Sequence, residues 1–336
     1  MKILNFILAA SLLASALVAK AQPNAPDIVV SLDGKGAFTS IQEAVMSVRD
    51  YKPTRVTIYV KNGVYNEKIH IPANKCDITI IGQSAENTII TYGDYASKDN
   101  MGTFRTSTVR IDGDGIRMEN ITIENSAGRV GQAVALHVEG DRCEFSGCRF
   151  LGNQDTMFNG RAGARQYFAH CYIEGTTDFI FGPATAMYED CDILCKADSY
   201  ITAASTPQNV PYGLIFKNCR IKAAEGVHKV YLGRPWREYA YTAFINCELP
   251  KQIRAEGWHN WGRTENEQTS RYCEYGNTGE GANSTQRVSW AKQLTDGEAR
   301  VITYENVMSY ESHWTPAYVN KFEKFIIKDP SKIKKI

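Results

Sequence analysis

The sequence has almost no net charge: its 336 residues carry 38 Lys and Arg against 37 Asp and Glu. That balance gives no global electrostatic attraction to nucleic acid or to a membrane surface, so neither is expected as a partner. Beyond the N-terminal leader no apolar run is long enough to span a bilayer. No Pro/Gly/Ser-rich linker divides the chain, which points to one domain in spite of the length. Helical periodicity is scarce too. The one clear amphipathic stretch is Phe38–Tyr51, with Ile41, Ala44, Val45 and Val48 at helical spacing and Thr39 or Ser40 as N-cap. What remains is alternating, strand-like sequence in a chain that can grow by adding repeats.

The leader combines Lys2, an apolar stretch from Ile3 to Val18 and Ala19-Lys20-Ala21. This pattern predicts a signal peptide over 1–21 and a mature domain over 22–336, exported to the periplasm or the extracellular medium. A membrane anchor competes with it, but the apolar core is short for a span. No cysteine follows the cleavage site, so a lipoprotein anchor is not supported.

Nine cysteines in an exported chain suggest disulfides, yet the count is odd and five of them are periodic. Phe145-Ser-Gly-Cys148-Arg-Phe150 recurs as Phe168-Ala-His-Cys171-Tyr-Ile173 and Tyr188-Glu-Asp-Cys191-Asp-Ile193. It recurs again as Phe216-Lys-Asn-Cys219-Arg-Ile221 and Phe244-Ile-Asn-Cys247-Glu-Leu249, with a weaker copy at Met118-Glu-Asn-Ile121-Thr-Ile123. Steps of 27, 23, 20, 28 and 28 residues match one coil of a parallel β-helix. The fold class is therefore all-β, a parallel β-helix whose open N-terminal end is closed by the short helix. The five cysteines form an inward column of small apolar side chains rather than a disulfide framework. Cys76, Cys143, Cys195 and Cys273 lie outside it, which leaves room for one isolated bridge.

Coils stack about 4.8 Å apart, so residues at equal offsets form columns. Asp155 and Asp178 each follow a column cysteine by seven residues and should be stacked neighbours. Gln132 precedes Cys148 by 16, as Asp155 precedes Cys171, which places it in the aspartate column one coil earlier. Arg234 precedes Cys247 by 13, as Asp178 precedes Cys191, which places it on the same face two coils later. Phe158, Phe181 and Trp236 lie close by in sequence and could stack on sugar rings or simply pack under loops, Trp236 being the better substrate contact. Tyr65 and Glu67, several coils earlier, read as structural. The chain after Trp261 reads as wrapping loops with a short C-terminal cap and a solvated Lys-rich tail.

Two stacked carboxylates cannot both ionise freely, so one is pushed towards the protonated form. If Arg234 pairs with Asp178, then Asp178 is the ionised nucleophile and Asp155 the acid. The amides of Gln132 and Gln154 can donate to a developing oxyanion, which completes a set for acyl transfer without metal or cofactor. A paired-aspartate glycosidase is the competing chemistry, and a purely structural polar ladder the third reading.

From Asp27 to Trp290 the chain resembles the pectin methylesterases (pectinesterases, carbohydrate esterase family 8). The resemblance is carried, in order, by Gly63-Val-Tyr-Asn-Glu67, Gln132-Ala-Val-Ala-Leu136, Gly152-Asn-Gln-Asp-Thr156, Gly175-Thr-Thr-Asp-Phe-Ile-Phe-Gly182 and Leu232-Gly-Arg-Pro-Trp236. It implies Asp155 as general acid/base, Asp178 as nucleophile, Gln132 and Gln154 as oxyanion donors, Arg234 as the residue orienting Asp178, and Trp236 beside the sugar. It also implies a right-handed parallel β-helix, methylated homogalacturonan as substrate and a monomer acting without cofactor; no plant-type inhibitory pro-region is expected ahead of the domain. A pectate lyase, a polygalacturonase or a non-catalytic pectin-binding solenoid are the alternatives on such a fold. Thr177, Ala255 and Glu280 depart from the family pattern, which usually has valine at the first and proline at the other two.

Overall fold

The computed structural model describes residues 26–318. The proposed leader and the Lys-rich tail lie outside them. The described chain winds through three parallel sheets of eleven, seven and seven strands, visited in turn by each coil. One coil illustrates the path. Cys143–Ser146 lies in the first sheet, Arg149–Leu151 in the second and Met157–Asn159 in the third, before Arg165–Ala169 returns to the first. Gly63–Tyr65 is a strand of the second sheet.

The cysteine phrase marks the corner from first to second sheet. Arg149 pairs with Tyr172, Tyr172 with Asp192, Asp192 with Arg220, and Arg220 with Glu248, so the cysteine before each falls in one column as expected. The residue before each column position (Asn120, Gly147, His170, Asp190, Asn218, Asn246) has positive φ between 52° and 60°. That left-handed step turns the chain in one residue, and Asn, Asp and Gly adopt it most cheaply. Each cysteine Sγ then lies 3.4–3.7 Å from a carbonyl of the coil below. Three residues ahead of the cysteines, Phe145, Phe168, Tyr188, Phe216 and Phe244 stack with centroids 4.5–4.8 Å apart and planes within 11°. Removing one such core ring by Phe→Ala typically costs about 3–5 kcal/mol.

All nine cysteines are free thiols. Burial pushes the Cys148 thiol up to about 12 and those of Cys191, Cys219 and Cys247 well above their ordinary range. Buried in the core, the five column thiols should resist alkylation in the native protein and react on unfolding. Peptide mapping that found them modified or disulfide-linked in the native state would contradict this.

The N-terminal helix runs Ile41–Ser47, shorter than the periodicity suggests. Ser40 is the N-cap, and the Glu67 carboxylate accepts from the Ile41 and Gln42 N–H groups and from the Ser40 hydroxyl. Glu67 is thus a structural cap, as anticipated, placed where the helix dipole favours an anion. The helix stops because the buried Lys75 ammonium takes the carbonyls of Met46 and Val48 and pairs with Asp50. At the other end Trp258, Tyr272 and Trp290 close the core. The segment after residue 301 is not a cap. Ile302, Val307, Met308 and Tyr318 lie over the outer face of the first sheet, against Tyr167, Met187, Ile215 and Ala243.

Candidate active site

Asp155 and Asp178 stand at the corner from second to third sheet in consecutive coils, two residues before the paired Met157 and Ile180. The Asp155 N–H donates to Thr177 O at 3.0 Å and the Asp178 N–H to Tyr200 O at 2.9 Å. They are adjacent rungs of one column, as their equal offsets require. Both have positive φ, 64° and 48°. Non-glycine residues held there cost on the order of 1–3 kcal/mol each, a strain that concentrates at functional sites. Both carboxylates are buried at the floor of a cleft of about 380 Å³. Gln132, Gln154, Phe181, Arg234, Trp236, Thr103, Phe104, Ala203 and Trp261 complete its lining.

Arg234 meets Asp178 edge-on, with Nε to Oδ1 at 3.0 Å and Nη2 to Oδ2 at 2.6 Å. Its position depends on Gly233, where a Cβ would lie 1.9 Å from Thr202 Oγ1. Only glycine lets this strand approach its neighbour so closely. Phe181 and Trp236 meet edge to face with centroids 5.9 Å apart. Phe158 lies beneath Phe104, with centroids 4.8 Å apart, and packs against Phe181 rather than facing the cleft.

Two column assignments differ from the count along the chain. Gln132 pairs with Gln154, not Asp155. Between paired residues, the third-to-first-sheet path from Asn159 to Gln166 is two residues longer than that from Val138 to Cys143, and Thr156 O recovers one by accepting from both Ala135 and Leu136. Arg234 lies on the expected face but three positions beyond the Asp178 column, which continues through Tyr200 to Tyr231. Between residues in equivalent register, the path from Gly233 to Thr242 is three residues longer than that from Ile180 to Ala186, and the long side chain reaches back to its partner.

The counts also miss five cleft-associated residues: loops supply Thr103, Phe104 and Trp261, while Tyr200 and Ala203 continue the columns of Asp178 and Phe181 one coil later with unlike side chains. Thr103 and Phe104 come from a loop fixed by the buried Asp94, which accepts from Lys68 and Lys98. Tyr200 and Trp261 lie over Arg234, with the guanidinium carbon 3.9 and 3.7 Å from their ring centroids. Thr177 accepts from Ser199 Oγ at 2.8 Å outside the cleft lining. Ala255 and Glu280 line a separate surface hollow.

Burial pushes the Asp155 carboxyl up to about 8, the neighbouring Asp178 charge adding to the rise and Arg234 opposing it. Burial raises Asp178 as well, but the hydrogen bonds and charge of Arg234 pull it back. Near neutral pH the pair therefore offers one proton donor and one carboxylate, side by side. With two side-chain amides across the cleft, this arrangement can attack a carbonyl, hold the resulting oxyanion and protonate a leaving alkoxide.

The pectinesterase family profile matches residues 27–311. Pectinesterase 31 of Arabidopsis thaliana is 40% identical over 281 residues, covering 80% of this chain and 88% of that protein. The structure of pectin methylesterase from carrot aligns with a TM-score of 0.82 and 34% identity over 86% of this chain and 95% of that one. A pectin methylesterase in complex with a hexasaccharide aligns with a TM-score of 0.75 and 30% identity, over 88% of this chain and 99% of that one.

Proposed function

The chain belongs to the pectinesterase family, and from that premise we propose how its residues divide the hydrolysis of pectin methyl esters. The protein is a carboxylic ester hydrolase that converts methylated galacturonate units to free carboxylates and methanol. The observation that carries the assignment is the stacked Asp155–Asp178 pair with Arg234 bound to only one member.

An Asp178 oxygen attacks the ester carbonyl, whose oxygen takes the negative charge and receives hydrogen bonds from the Gln132 and Gln154 amides. As the tetrahedral intermediate collapses, the C–O bond to methoxide breaks and Asp155 delivers its proton, releasing methanol. The acyl group is left as a mixed anhydride on Asp178. Water then attacks the substrate carbonyl and gives one proton to Asp155; the bond to Asp178 breaks, and the galacturonic acid departs and ionises in solvent, leaving both aspartates in their starting states. Trp236 and Phe181 offer ring surface to the sugar, and Phe158 supports them from below.

Methanol release from highly methylated pectin is the direct test, with new reducing ends and ultraviolet-absorbing unsaturated ends followed in parallel. Methanol alone should appear, at a rate unchanged by EDTA. New reducing ends would indicate a polygalacturonase, unsaturated ends a lyase, and no product a binding module. Export is a second proposal, resting on the sequence of residues 1–21. The exported protein should begin at or within a few residues of Gln22, and a mass that retained Met1 would contradict it.

A further inference from the structure

We infer that Arg234 is locked onto Asp178 by a stack of alternating rings and cations, and that Tyr200 is a positioning residue for the nucleophile. The inference rests on the assignment of Asp178 above. The guanidinium of Arg234 spends one edge on the Asp178 carboxylate. Its two flat faces are covered by the Trp261 ring at 3.7 Å and the Tyr200 ring at 3.9 Å. The stack continues away from the cleft. Tyr200 lies parallel to Tyr231 in the next coil, with centroids 5.3 Å apart and planes 11° apart, and Arg254 caps Tyr231 at 4.8 Å. His259 braces the side, its ring 5.4 Å from Tyr200 and 5.3 Å from Tyr231, and its Nδ1 accepts the Trp261 N–H at 3.0 Å. That bond helps hold Trp261 at a φ of 64°.

The chemistry needs this restraint. An arginine in a cleft beside two stacked carboxylates could turn from one to the other, and pairing with Asp155 would ionise the very group that must donate a proton. Rings on both faces leave the guanidinium free to slide in its own plane but not to swing. The cation–π attraction is strongest where water is excluded. The Tyr200 ring is not itself part of the cleft lining and meets the nucleophile's side chain only through Arg234, while the Tyr200 carbonyl that accepts the Asp178 N–H is kept in any side-chain substitution.

The test is Tyr200→Leu in the full-length enzyme. Loss of one covered face should lower kcat roughly 5–30-fold with little change in KM. The acid limb of the kcat/KM profile should move to higher pH, because a loosened Arg234 no longer favours ionised Asp178. The charged and titratable groups facing this carboxylate and cation are Asp155, His259, Arg254, Tyr200, Tyr231 and, from the first sheet, Tyr272. Tyr200→Phe should restore both rate and limb, since the ring and not the hydroxyl faces the cation. Trp261→Leu should give the same limb shift with a raised KM, as its ring also lines the cleft, and it serves if Tyr200→Leu does not fold. In an Arg234→Lys background Tyr200→Leu should add little. An unmoved acid limb in the Tyr200 and Trp261 variants, or a Tyr200→Leu loss undiminished in the Arg234→Lys background, would overturn the stack's role. Turnover retained by Asp178→Asn would instead overturn the nucleophile assignment beneath it.

Discussion

Asp178→Asn should abolish methanol release from methylated pectin. The amide has the size of the carboxylate but cannot form the anhydride, so the covalent route closes and turnover should fall by about 10⁴-fold or more. The fold should survive, since the corner N–H bond to Tyr200 O is a backbone contact that the substitution leaves in place. Stability should drop nonetheless, because Arg234 keeps its charge and loses its partner. Breaking a buried pair typically costs about 3–5 kcal/mol, and water in the cleft should reduce that here. Methanol assay and thermal unfolding on the same preparation separate the two effects. Arg234→Ala should also slow the chemical step while leaving the nucleophile itself present. Wild-type turnover in Asp178→Asn would refute the mechanism.

Asp155→Asn should slow the enzyme about 10²–10⁴-fold without necessarily weakening substrate binding, because it removes proton transfer to the leaving methoxide. An activated aryl ester needs no such help. If that substrate is accepted, acylation by Asp155→Asn should recover far more than acylation by Asp178→Asn, and equal rescue would reverse the assigned roles. The pH profile gives a second handle. Asp155 acts as donor only while protonated, and its carboxyl is pushed up to about 8. Turnover on methyl esters should therefore decline as pH rises through that value, and the alkaline limb should be absent from the Asp155→Asn profile. A limb that persisted in the variant would belong to another group.

The architecture was legible because one phrase repeats at one structural job. A ring, a left-handed corner and a cysteine stack in register from coil to coil, so counting from Cys148 and Cys171 aligned Asp155 with Asp178 correctly. The same counting slipped for Gln132 and Arg234, since it crossed the third-to-first-sheet connections, whose lengths vary while the strands stay in register. Arg234 was still legible as a partner because its side chain spans the discrepancy. Phe104 and Trp261 come from excursions outside the repeat, and no period announces them. Tyr200 lies within a strand, but its importance depends on which side chain of the next coil leans over it. The helix was overextended for a comparable reason: Lys75, distant in sequence, ends it by taking its terminal carbonyls.

The segment laid over the first sheet has a consequence for the order of synthesis. Contacts between coils join residues some 20 to 40 apart, so coils can stack as the chain emerges, beginning at the N-terminus. The covering segment closes over far longer spans. Arg165 donates to Met308 O and Ser312 O, the Tyr310 hydroxyl to Gly163 O, and the Ala317 and Tyr318 N–H groups reach Glu144, at separations of 143 to 174 residues. Until residues 302–318 arrive, Tyr167, Met187, Ile215 and Ala243 form a bare apolar face on a finished sheet. The unfinished molecule is thus able to assemble the Asp155–Asp178 corner before it is protected from sticking to its neighbours. A chain cut short near residue 300 would keep its coils and lose its solubility first.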